Sequence, residues 1–250
     1  MLINGVSQLI STQAFSPLQA YTQKKQNTPV FSGYKFKDKS VENAVKEDTA
    51  RVKYIIATDS DKYKINERRM IRKIMNAASY AGVNPVYIAC IVKRETHFCE
   101  NIITSENGKG PMGLTSIAIE DLYERPSTFD SNLGKLVKKY GSLNKLFAAK
   151  DKNPSMKLGN LGEILYKYRN PEQLKNGVCQ DFDLNLKVGA FVFKGFLKEQ
   201  GNNLYNTFYR YNNNAEIDEN TGNEIRKDYA DNAFDTYQKA MKYATKLMRY

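Results

Sequence analysis

The chain has no tryptophan, one histidine (His97) and three cysteines in 250 residues. Cys90, Cys99 and Cys179 are odd in number and contain no Cys-x-x-Cys pair, so neither a disulfide framework nor a zinc-ribbon spacing is present. They read as buried thiols, with a pairing of Cys90 to Cys99 or Cys179 left open for an oxidising compartment. A single histidine also argues against a transition-metal site. No apolar run approaches the ~18 residues of a transmembrane helix. The opening MLINGVSQLISTQAF lacks the basic start and continuous apolar stretch of a secretory signal. Missing too are a Gly-rich phosphate loop with Lys-Ser/Thr, a zinc finger and an RNP-like aromatic motif, so no nucleic-acid partner is expected.

What is present is charge and enough apolar residues for a core. Lys and Arg number 38 against 27 Asp and Glu, a formal net charge of +11, and 41% of the residues are hydrophobic. Such a balance favours an acidic partner, whether nucleic acid, an anionic membrane surface or an anionic wall polymer. The lysines are scattered rather than blocked. Oligomeric state is not written in any of these features.

Residues 1–50 are rich in Ser, Thr, Gln, Asn and Lys, with Pro17, Pro29 and Gly33 breaking any period, and read as a flexible N-terminal arm. Residues 51–250 read as one mainly helical domain. Met70, Ile71, Ile74 and Ala77 or Ala78 mark a helix over 66–81, stopped by Gly82. Asn84 is a candidate N-cap, with Pro85 in the first helical position. The breakers in CENIITSENGKGPMGLT predict a loop or short hairpin over 99–115, followed by a helix in SIAIEDLYE. Two helices are expected between Asn132 and Arg169, one from Leu184 to Gln200, and a last one from about Glu224 to Met248.

Helical spacing places Glu95 in line with Ile88, Ile91 and Val92. An apolar face and the negative end of the helix dipole both disfavour its ionised form and raise its pKa. A carboxylic acid kept protonated near neutral pH is suited to protonating the leaving oxygen of a glycosidic bond. On spacing alone, the more economical reading turns Glu95 outward to pair with Lys93, Arg94 or a distant lysine.

The residues that follow reverse that preference. Glu95, Thr96 and Phe98 in RETHF, then Gly110, Met112 and Leu114 in GPMGLT, flanked by Ser105 and Thr115, resemble the signature of the soluble lytic transglycosylases and their goose-type lysozyme relatives. Asp183, Asn185 and Gly189 resemble a later helix start of that family. Tyr211 and Asn212 resemble its Ala-Tyr-Asn motif, and Tyr229 its C-terminal tyrosine. The matches run in order across about residues 65 to 240.

This resemblance implies a lysozyme-like fold, a helical domain with a glycan-binding cleft and a minor β or loop element after the catalytic helix. It implies that Glu95 alone is catalytic, first as acid on the bond between N-acetylmuramic acid and N-acetylglucosamine, then as base while the C6 hydroxyl closes a 1,6-anhydro ring. Thr96, Ser105, Met112, Tyr211, Asn212 and Tyr229 are the implied substrate-side residues. No metal or organic cofactor is implied; the partner is peptidoglycan glycan strands, and the place of action extracytoplasmic or in the cell envelope. A goose-type hydrolase, with Glu106, Glu120 or Asp121 positioning water, and a non-catalytic peptidoglycan-binding or structural protein are the alternatives.

Two departures from the family pattern stand out. Gly113 occupies the place of a signature glutamine, removing a side chain expected to contact sugar or support the cleft. Residues of about 123–182 form an apparent insertion, with Asn160, Glu163, Tyr166 and Tyr168 in an extra helix, read as a solvated structural insert rather than a lid.

Overall fold

The computed structural model describes residues 39–99, 108–212, 216 and 223–247. Among these residues the secondary structure is twelve helices and one isolated antiparallel bridge, Lys109 to Leu114, so the chain is mainly α. The helices are α1 (Lys39–Tyr63), α2 (Glu67–Ala81), α3 (Pro85–Thr96), α4 (Ser116–Glu124), α5 (Pro126–Phe129) and α6 (Ser131–Tyr140). They continue as α7 (Leu143–Lys152), α8 (Gly159–Tyr168), α9 (Pro171–Gln180), α10 (Phe182–Glu199), α11 (Leu204–Tyr211) and α12 (Ile225–Leu247). No helix among the described residues is long and apolar enough to cross a membrane.

Local signals fix many of the ends. Asn66 caps α2 by accepting from the Arg69 N–H, and Gly82 ends it in the left-handed region at φ 71°. Asn84 accepts from Val86 N–H at the start of α3, with Pro85 in the first turn where its missing donor costs no helix bond. Thr115 caps α4 through the Ala118 N–H. Lys194 of α10 adds a long-range cap, donating to Ala81 O at 2.7 Å, and burial lowers its pKa.

α10 is the central element. Leu186, Val188, Phe191, Val192, Phe193 and Phe196 are all buried on it, so it is apolar around most of its circumference, as a helix enclosed by others must be. It packs against α2, α4, α5, α9 and α11, while α1, α3 and α12 pack mutually beside α2.

Several boundaries differ from the sequence expectation. The part of the arm within the described residues, 39–50, is helical and belongs to α1, with Val45 and Asp48 buried. Its polar composition hides a sparse apolar face that continues into Val52, Ile55 and Ile56. Asp48 is held by Arg51 at 2.9 Å, and burial nonetheless raises its pKa. Residues 1–38 lie outside the described residues. Three helices, α6, α7 and α8, stand where two were expected, and α9 and α11 were not anticipated as helices.

The 123–182 stretch is not merely solvated. Leu133, Leu146, Leu161, Leu165, Leu174 and Val178 are fully buried, and Asn160 joins α8 to α2 by donating to Tyr80 O at 2.6 Å. Glu163 accepts from Leu158 N–H at the start of the expected extra helix, and Tyr166 donates to Asp151 at 2.6 Å. Cys90 is buried, Cys99 and Cys179 are half-buried, and all three are free thiols.

Candidate active site around Glu95

α3 carries its apolar face into the core, with Ile88, Ile91 and Val92 fully buried, and delivers Glu95 in its last turn. The helix then stops abruptly. His97 (φ 48°) and Phe98 (φ 61°) are both left-handed, a conformation that residues with a Cβ adopt only where their surroundings compel it. Phe98 turns back into the core and is 1% exposed. The Thr96 hydroxyl donates to Val92 O at 3.2 Å, so it is spent within the helix.

A tight turn meets Glu95 from the other side. Lys109 and Leu114 exchange N–H···O=C bonds of 2.9 and 3.0 Å, and Gly113 N–H donates to Gly110 O at 3.0 Å, closing a turn in the described part of the loop or short hairpin expected over 99–115, of which residues 100–107 lie outside the described residues. Asn185, fully buried on α10, clamps it by accepting from Met112 N–H at 3.0 Å and donating to Lys109 O at 2.8 Å and Val178 O at 3.2 Å. The Tyr211 hydroxyl, at the end of α11, donates to Met112 O at 2.8 Å. Both main-chain groups of Met112 are therefore fixed.

The Met112 side chain faces inward, fully buried, against Gly189, where a Cβ would come within 2.6 Å of Met112 Cβ. Its side chain is core, and its part in the site is played by its backbone. Gly113, held next to it, has φ 57°, and a Cβ there would stand 2.3 Å from Glu95 Oε2 and 2.5 Å from Cδ. No side chain fits at 113 with Glu95 in this place. The glycine is thus not a deleted contact, as expected from the sequence, but the surface on which the carboxyl rests.

Two phenols complete the surroundings. Tyr229 of α12 is buried, and its hydroxyl lies near enough to favour the Glu95 carboxylate without forming a hydrogen bond of good geometry. Arg94 is exposed, with its guanidinium over the Tyr229 ring at 5.5 Å from the centroid. Burial raises the Glu95 pKa; the Tyr229 hydroxyl and the Arg94 charge oppose it, and burial prevails. Burial, followed by the Glu95 charge, also pushes the Tyr211 and Tyr229 phenols well above the ordinary tyrosine value, so both stay protonated donors.

Among the described residues, the outward ion pair open to Glu95 on spacing alone is not formed. Lys93 instead bonds Asp59 at 3.3 Å. Glu95 keeps partial solvent contact while its carboxyl is enclosed by protein. A carboxyl in this setting holds its proton more tightly than an ordinary glutamate and, once it has given it up, can draw on a buried O–H close by.

Of the sequence-predicted residues, the fold assembles Glu95, Met112 through its backbone, Tyr211 and Tyr229. Asn212 closes α11 as its C-cap, its N–H donating to Phe208 O at 3.3 Å. Ser105 and Glu106 lie outside the described residues. Asp183 pairs with Lys73 away from this cluster. The three-way clamp made by Asn185 has no local signal that sets it apart, since α10 also carries Asp183, Lys187 and Lys194 among its apolar residues. No group of three potential metal ligands is found among the described residues. No protein-family model, curated protein or solved structure matches this chain.

Proposed function

We propose that the protein is a glycan-cleaving enzyme in which Glu95 is the single acid and base, acting on peptidoglycan strands as a lytic transglycosylase within a lysozyme-like fold. The observation that carries this reading is the Glu95 carboxyl enclosed at a helix end, against Gly113 and beside the buried Tyr229 and partly buried Tyr211 phenols. Burial favours its protonated form, the one that can donate to the glycosidic oxygen. After donation, the Tyr229 O–H favours the carboxylate that must next accept a proton from the C6 hydroxyl. Cleavage of this kind needs no second fixed carboxylate, because the substrate's acetamido group stabilises the intermediate.

The resemblance of the Glu95, Gly110–Leu114, Asp183–Gly189 and Tyr211–Asn212 segments supplies the substrate class. The +11 net charge suits an anionic wall polymer in an extracytoplasmic or envelope setting. Among the described candidates for positioning water, the state of α4 favours a one-carboxylate reaction over a goose-type hydrolase, Glu106 lying outside the described residues. Glu120 is paired with Lys175 at 2.9 Å, and Asp121 with Arg125 at 2.5 Å.

Mass spectrometry of sacculi digested by the wild type and by Glu95→Gln tests the reading. Anhydromuramic ends from the wild type and none from the variant are expected. Reducing ends would mean hydrolysis instead. Sacculus binding without release of soluble muropeptides, unchanged in the variant, would mean a non-catalytic wall-binding protein.

A further inference from the structure

The end of α3 is gripped from behind. Asp59, near the end of α1, is about one-tenth exposed, and its two carboxylate oxygens divide between Lys93 Nζ at 3.3 Å and His97 Nδ1 at 3.0 Å. Lys93 Nζ also donates to the Thr58 hydroxyl, and the His97 ring stacks on Tyr63 at 4.8 Å between centroids. Contact with a carboxylate makes Nδ1 the protonated ring nitrogen.

Lys93 and His97 are four residues apart and share one helix face; Glu95, midway between them, faces away. His97 is also the left-handed C-cap whose N–H donates to Lys93 O at 3.0 Å. Asp59 thus binds both ends of the turn that contains Glu95, and one of them is in a conformation that needs outside support. On the far side the Glu95 carboxyl has no slack, since Gly113 leaves no space for even one more carbon.

We propose that Asp59 is a positioning residue for Glu95: through Lys93 and His97 it sets the last turn of α3 so that the carboxyl seats against Gly113. This rests on the reading of Glu95 as the reacting acid. Asp59 touches no reacting atom; its effect is on the placement of one that does. A misplacement of about 1 Å in such a group costs on the order of 100-fold in rate.

The test follows the Glu95 carboxyl by carbon-13 NMR titration of the full chain, alongside turnover of soluble glycan strands. It uses Asp59→Asn, which keeps shape but loses charge and one acceptor, and His97→Asn, which tolerates the left-handed backbone but removes the imidazole. Asp151→Asn, at a distant ion pair with Arg169, is the control. In both test variants the Glu95 titration is expected to fall toward the ordinary glutamate value and turnover to drop roughly 10-fold or more, with KM changed by less than about two-fold; the control should leave both readouts unmoved. Should Asp59→Asn fail to fold, His97→Asn carries the same comparison. A Glu95 titration identical to wild type in the folded variants overturns the proposal, and so does a shifted titration with unchanged turnover. A wild type that cleaves no glycan, with a titration that still shifts in both variants, rejects the proposed reaction and leaves the positioning role standing.

Discussion

Gly113 and Glu95 are in such close contact that a single added carbon on Gly113 would lie 2.3 Å from the carboxylate oxygen Oε2. The glycine needs its freedom twice over, for space and for its φ of 57°. The carboxyl is consequently walled by main chain, which cannot swing aside as a side chain could.

Gly113→Ala should therefore damage activity far more than stability. The left-handed backbone costs about 1–2 kcal/mol for alanine. Displacement of the carboxyl should lower turnover on the order of 100-fold. Thermal unfolding and glycan release on the same preparation check the two separately.

Glu95→Gln should preserve the fold and become the more stable protein as pH rises. Because burial raises the folded-state pKa above the unfolded one, the wild-type group's favourable contribution is complete below the unfolded value. It is lost as pH climbs through the raised folded value, and the neutral amide does not suffer that loss. Denaturant midpoints of both proteins across this window should diverge in favour of the variant with increasing pH. Wild-type turnover should decline over the same window as the acid loses its proton.

The two phenols should separate cleanly. Tyr229→Phe removes a buried hydroxyl that has no hydrogen bond of good geometry, so stability should hold while the Glu95 pKa rises further and the alkaline limb of the pH profile moves up. Tyr211→Phe instead frees the Met112 carbonyl, which should cost about 1–2 kcal/mol. Paired pH–rate profiles and unfolding curves distinguish a proton-tuning hydroxyl from a scaffold hydroxyl.

Asn185→Asp is the corresponding test of the turn. An aspartate can accept from Met112 N–H but cannot donate, so the buried Val178 carbonyl loses the Asn185 donor while Lys109 O keeps only the Leu114 N–H, and a loss of about 1–3 kcal/mol is expected. Amide hydrogen exchange at Met112 and Leu114 should accelerate more than at α3 residues.

The sequence by itself determined what short-range physics controls. Asn66 with Gly82, and Asn84 with Pro85, define helix ends because capping is settled within a few residues. Apolar spacing alone put Glu95 on the stripe of Ile88, Ile91 and Val92. Composition misled where a helix buries little. Residues 39–50 looked like an arm because α1 commits only a few apolar positions there, and α9 and α11 are short helices whose formation depends on neighbours. Only the tertiary structure decided the site. The bonds that seat Met112 join residues 73 and 99 positions apart, and Asp59 reaches His97 across 38. No local pattern reveals which of several polar residues will meet over such separations. Nor does it show that Gly113 is a wall rather than a gap, because that depends on where a different helix delivers its carboxyl.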